Sequence, residues 1–184
     1  MKPLRTERLI LRNWEERDRE LFHLINSDDQ VMEFFPMRRS RAESDGLMDR
    51  LADNAETNGF GFTAVEIIQT GEVAGFCGLV PTSGIPVFED GTIEIGWRLA
   101  PQFWGKGIVT EAARCWRYFA FEHLGLERIV SFAVTDNHRS ISVMQRIGMS
   151  ARPDLDFDHP GVPDTHPHLK RHALYEIFSG DARR

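Results

Sequence analysis

Gln102-Phe103-Trp104-Gly105-Lys106-Gly107 decides how the rest of the chain reads. Before it stands Thr92-Ile93-Glu94-Ile95-Gly96-Trp97-Arg98-Leu99, a strand pattern with Ile93, Ile95, Trp97 and Leu99 on one face and Glu94, Gly96 and Arg98 on the other. After it, a helix is expected from about Gly107 to His123, with Val109, Ala112, Ala113, Trp116, Phe119 and Ala120 as its apolar stripe. A strand–loop–helix of this kind exposes unpaired N–H groups at the positive end of a helix dipole, which attract an anion. Two glycines one residue apart let the backbone approach a pyrophosphate with no Cβ in the way. A Gly-softened turn without a ligand is the plainer reading of the same letters. Two other phosphate loops do not fit. A Walker A loop needs Gly, four residues, then Gly-Lys-Ser/Thr, and a dinucleotide fingerprint needs a third Gly or Ala where Thr110 stands.

Upstream of the loop, Leu9 to Arg12 reads as a first strand, and Glu15 to Asn26 as a helix with Leu21, Phe22, Leu24 and Ile25 on one side. A second helix is expected from Ser40 or Arg41 to Ala55, closed by Asn58-Gly59. Phe62 to Ile68 and Val73 to Val80 form a hairpin signal. Downstream come a strand from Arg128 to Val134, a helix from Arg139 to Ile147 ended by Gly148, a Pro- and His-rich loop from Arg152 to His168, and a last strand from Arg171 to Phe178. This mixture implies an α+β or α/β fold, one sheet covered by helices. With no repeat and no linker, the 184 residues read as a single domain, 1–184.

Composition narrows the partners. A net charge of −6 argues against nucleic acid, which demands clustered Lys and Arg. No apolar run reaches the ~18 residues that span a bilayer, and Met1 to Arg8 lacks an apolar leader core, so no membrane association is expected. Two cysteines, Cys77 and Cys115, cannot build a disulfide framework and fit a reducing cytoplasm.

Beyond the loop, Leu4 to Arg12 resembles the opening of the ribosomal-protein N-terminal acetyltransferase branch of the GNAT superfamily. Glu94-Ile95-Gly96-Trp97, Phe103-Trp104-Gly105-Lys106-Gly107 and Thr110-Glu111-Ala112 are similar to its central signature. Asn137-His138-Arg139-Ser140 and Arg146-Ile147-Gly148-Met149 are similar to its later motif. The resemblance implies a mixed, mostly antiparallel sheet with helices on both faces, splayed between its fourth and fifth strands, here Thr92–Leu99 and Arg128–Val134. Acetyl-CoA, the cosubstrate, would enter that gap with its pyrophosphate on the amides of Gln102 to Ile108, Trp104, Gly105, Lys106 and Gly107 included. Its pantetheine would run beside Trp97, Arg98 and Leu99 as an added strand, with Asn137 hydrogen-bonding it and Ser140 near the sulfur. Lys106 would meet either the 3′-phosphate or solvent.

The implied activity is transfer of acetyl from the thioester to a primary amine, a protein N-terminus or a small molecule, by direct attack in a ternary complex. A Lys ε-amine near pKa 10.4 costs about 4.6 kcal/mol to deprotonate at pH 7, an α-amine only about 1–1.4 kcal/mol. Glu94, mid-strand opposite the apolar face, is the candidate base; a solvated or salt-bridged strand Glu, or a bulge that turns it away, is the alternative. Ser140 and Asn137 either serve the thiolate and pantetheine or cap a helix. Phe34 and Phe35 are either core or a lid on the acceptor pocket, and His159 a candidate for substrate contact. His159, His166, His168 and His172 invite a metal reading, but no His-Glu-x-x-His is present and the prolines make the stretch a loop, so no metal is expected. The rival readings are a non-catalytic acyl-CoA sensor and a metal hydrolase. Unpaired strand edges near the tail leave a homodimer open.

Overall fold

Alternating strands and stripe-bearing helices solve one problem here, the covering of a single twisted sheet on both faces. The computed structural model describes residues 1–181. The chain runs β1 (Leu4–Arg5), β2 (Leu9–Arg12), α1 (Arg19–Ser27), α2 (Arg41–Asn58), β3 (Phe62–Ile67), β4 (Val73–Pro81), β5 (Ile93–Leu99), α3 (Ile108–Glu122), β6 (Arg128–Val134), α4 (His138–Arg146), β7 (Ser150–Ala151), β8 (Phe157–Asp158) and β9 (Arg171–Phe178). The sheet order is β1-β2-β3-β4-β5-β6-β9-β7, with β8 also paired to β9. All pairs are antiparallel except β5 with β6. Those two are in register only at Glu94 and Val130. Beyond that point they diverge, so a gap opens toward Leu99 and Val134, and the starts of α3 and α4 stand at its mouth.

Register fixes what each face of β5 meets. Phe76 lies opposite Arg98 and Cys77 opposite Trp97. On the Phe76 face, Phe22 of α1 packs 6.2 Å from Phe76, and Trp14 meets Phe22 edge-on at 4.7 Å. On the Cys77 face lies α3, whose Cys115 is near enough to act electrostatically on the buried Cys77. The fully buried Trp116 anchors that helix. Truncating Phe22 or Trp116 to Ala would cost about 3–5 kcal/mol.

Several expected elements need correction. Leu24 is exposed; the buried residues of α1 are Phe22, Ile25 and Asn26, because the helix turns a polar group inward. The second helix runs on to Asn58, held at its start by a reciprocal Ser40–Glu43 capping box. No bulge interrupts β5, whose pairing with β4 is continuous from Ile93 to Leu99; the register shift falls in β3, between Val65 and Glu66. Within the expected loop after Arg152, Phe157–Asp158 is a short strand against His172 and Arg171. Among the described residues no helix is long and apolar enough to cross a membrane.

Candidate active site

The connection from β5 to α3 makes one wall of the gap. Gly105 and Gly107 sit at φ +71° and +73°, a left-handed conformation that strains any residue with a Cβ. The turn they allow leaves the N–H groups of residues 105–110 without an acceptor among the described residues. They are therefore open to a ligand, as a phosphate cradle requires. Arg8 braces the loop from outside. Its Nη1 donates to the Lys106 carbonyl at 3.2 Å and its Nε to Glu111 at 2.6 Å, where the Thr6 hydroxyl also donates at 2.6 Å. Burial alone would raise the Glu111 pKa, but hydrogen bonds from Thr6 and Arg8 outweigh it and hold the carboxyl below its ordinary range. Gln102 and Lys106 are exposed and do not line the cleft; the Lys106 ammonium stands 5.7 Å from the Phe103 ring.

From this loop a cleft of about 1380 Å³ leads between β5 and β6. On the α3 side it is lined by Trp97, Leu99, Trp104, Gly105, Gly107 and Ile108, and across the gap by Ser131, Asn137 and Ser140. The Trp104 indole N–H donates to the Leu99 carbonyl at 2.9 Å, fixing the end of β5. Asn137 caps α4, its Oδ1 accepting from the Ser140 N–H at 3.1 Å. Capping is thus a role of Asn137 and not of Ser140, whose hydroxyl has no partner among the described residues.

Through the gap, the opposite face of β5 brings Glu94, Gly96 and Arg98 into the same cleft. Among the described residues Glu94 forms no salt bridge. One carboxylate oxygen lies 3.4 Å from where a Gly96 Cβ would stand, and the Phe62 ring crowds the same spot at 3.0 Å. Burial pushes its pKa up to about 8, with no counter-charge to oppose it. Arg98 projects toward α1, where its Nη1 donates to Asn26, and its guanidinium stacks 4.3 Å from the Phe35 ring and 5.4 Å from Phe76. Burial, then the charge of Arg39, lowers its pKa to about 10.

Phe34 and Phe35 are not core. Phe35 is 40% exposed, and the buried residue of that segment is Met32. Both rings line the cleft. The segment is tied across the opening by Glu33, which accepts from Arg139 at 2.6 Å, while the Arg139 guanidinium lies 4.5 Å from the Trp104 ring. His159 also lines the cleft, half-buried 5.0 Å from the His172 ring and 5.9 Å from Phe132. Burial lowers the pKa of both histidines. His168 and His172 do not share a helix, since one lies in a short turn and the other begins β9. Among the described residues no three His, Cys, Asp or Glu side chains are grouped to hold a metal.

Sequence reasoning missed Arg8, Asn26 and Arg39, and singled out His172 only as one of four histidines in a metal reading. Asn26 and Arg39 carry no local signal, because their roles arise only when α1 packs on β5. The placement of Glu94 and Arg98 on one strand face was a usable sign that both enter the cleft.

Comparison with known proteins follows from this geometry. The family described as Acetyltransferase (GNAT) domain matches residues 8–150. An uncharacterised Bacillus subtilis protein, YkkB, is 31% identical over 146 residues, 78% of this chain and 83% of that protein. The FsC-acetyl coenzyme A-N(2)-transacetylase of Aspergillus fumigatus is 32% identical over 151 residues, 80% of this chain but 64% of that longer protein. A GNAT-family acetyltransferase from Bacillus anthracis superimposes with a TM-score of 0.79 at 23% identity, covering 97% of this chain and 99% of the other.

Proposed function

This chain belongs to the GNAT acetyltransferase family, and on that premise we propose that it transfers acetyl from acetyl-CoA to the nitrogen of a primary amine, by direct attack with both substrates in the one cleft. The observation that carries the reading is the row of unpartnered amides at residues 105–110, opening into a gap that ends at Glu94.

Acetyl-CoA supplies the acetyl group as a thioester, whose thiol, with pKa around 8.5, leaves with little help. The amides from Gly105 to Ile108, with Arg8 at the rim, would take its pyrophosphate; those of Phe103 and Trp104, expected to share in it, donate instead to the Ala100 and Pro101 carbonyls. Trp97, Arg98 and Leu99 offer the β5 edge that β6 leaves unpaired, where a pantetheine amide chain fits as an extra strand. Glu94 would accept the amine's proton, directly or through water. A carboxyl titrating near 8 is matched to that task around neutral pH. The free Ser140 hydroxyl would donate a hydrogen bond to the departing thiolate or to a water beside it, and Asn137, while capping α4, keeps its Nδ2 for the pantetheine. Phe34, Phe35 and His159 would border the acceptor. The opening Leu4–Arg12 and the central motif support a place in the ribosomal-protein-like branch.

The test is direct. Acetyl-CoA should raise the melting temperature, and thiol should be released when an amine panel is added, with a product heavier by one acetyl group. Absence of any shift at millimolar acetyl-CoA sinks the cosubstrate assignment. Binding without thiol release from any amine would make the protein a CoA sensor instead.

A further inference from the structure

The acceptor end of the cleft contains a charge that the protein does not balance. Arg12, a buried arginine on β2, shows one way this fold balances such a charge: it donates to Asp18 at 2.7 and 3.0 Å and to Glu66 at 2.7 Å. Arg98 has no carboxylate. Its only hydrogen bond among the described residues is from Nη1 to the Asn26 amide oxygen. Asn26 is itself buried and held by a 2.6 Å bond from its Nδ2 to the Phe22 carbonyl. The Arg98 Nε is wholly buried and unpartnered, and Nη2 beside it bonds nothing either. Nε is sealed from the cleft, and Nη2 is the donor left to a ligand. The charge that acts on it is a second cation, Arg39, which forms no salt bridge among the described residues but also acts on Glu43 at the start of α2. An unpaired buried donor of this kind is expensive unless something completes it.

We infer that the acceptor is an amine that also carries a carboxylate, held by the unpartnered Nη2 of Arg98 and with the reacting nitrogen directed toward Glu94. The inference rests on the acetyl-transfer reading and sharpens it. Glu94 cannot be the missing partner, since it lies over Gly96 and burial alone moves its pKa. The Phe62 ring sits over Gly96 between the two side chains, so an acceptor reaches both from the cleft side of that ring. Four residues of strand separate the Glu94 and Arg98 Cα atoms by about 13 Å. With Glu94 and Arg98 two positions to either side of Gly96, an acceptor that meets both would carry its amine and carboxylate several bonds apart, as in an ω-amino acid or a short peptide. A polyamine would put a second cation against Arg98 and Arg39.

The probes are ω-amino acids of three to eight carbons, each set against the alkylamine and the diamine of the same length, for example 6-aminohexanoate, hexylamine and 1,6-diaminohexane. The best amino acid should exceed its alkylamine at least tenfold in kcat/KM, with the diamine lowest. In Arg98→Met that ratio should fall to near one, and Arg98→Lys should keep part of it. Should Arg98→Met not fold, the wild-type series decides alone. A diamine or alkylamine equal to the best amino acid overturns the inference. So does an Arg98→Met protein that retains the full ratio. Calorimetric titration of the CoA-saturated protein gives a second readout, and failure of every ω-amino acid to bind overturns it as well. Loss of acetyl-CoA binding in the wild type takes down both readings, whereas thiol release with a flat acceptor profile takes down this one only.

Discussion

On the α3 side of the β5–β6 gap the working groups are main-chain amides; on the other side they are side chains that arrive from α1, the segment after it, β5 and the tail. Residues 105–110 lie next to one another in the chain, and two left-handed glycines are enough to expose their N–H groups. Glu94, Arg98, Phe35 and His159 span more than 120 residues and share a cleft only because the sheet is assembled. A site made of backbone is sensitive to anything that adds a Cβ and indifferent to most side-chain chemistry. A site made of side chains has the opposite sensitivities, and its charges are tuned by burial.

The contrast can be broken at its strongest point first. Gly107→Val forces a β-branched residue into φ +73° and should weaken acetyl-CoA binding at least ~100-fold, about 2.7 kcal/mol, read by calorimetry. Unchanged affinity would mean that the amides at α3 hold nothing. On the other side, Glu94→Gln should leave acetyl-CoA affinity intact while lowering kcat/KM roughly 100-fold near pH 8. The wild-type profile should rise with pH through about 8, since the carboxylate form is the base, and the variant should lose that limb.

The same group makes a stability prediction of definite sign. With a folded pKa of about 8 against an ordinary 4.5, the native state keeps a proton that the unfolded chain has released. Stability should therefore fall as pH rises from about 4.5 to 8, and the slope should flatten in Glu94→Gln, measured by denaturant melts across pH. Smaller effects sharpen the comparison near α4. Ser140→Ala should cost at most about tenfold in kcat, because a thiol leaves readily. Asn137→Ala should lower stability by about 1 kcal/mol through loss of the cap, visible in a thermal melt. A larger fall in kcat for Ser140→Ala would move the main proton transfer from Glu94 to α4.

Much of this was readable before any coordinates. Strict alternation marked β5, Asn58-Gly59 marked the end of α2, and the paired glycines marked the loop. Less readable were features whose cause lies outside the local window. Leu24 looked like a core residue by periodicity, but Asn26 took the inward position because Arg98 waits there from another element. The Phe34-Phe35 pair reads equally well as core or as lid, and only the tie from Glu33 to Arg139 holds it at the opening. Nothing in the letters separates Asn137 from Ser140 as the cap of α4.

Sequence alone determined the order of elements, the glycine loop between β5 and α3, and the two faces of the strand before it, because periodicity and left-handed turns are set by neighbouring residues. Tertiary structure alone decided that β5 and β6 part after one pair, that Glu94 is driven toward neutrality, and that Arg98 is left with an unanswered charge. Those depend on burial and on distances between segments far apart in the chain, and solvation is a property of the assembled surface, not of any stretch of residues.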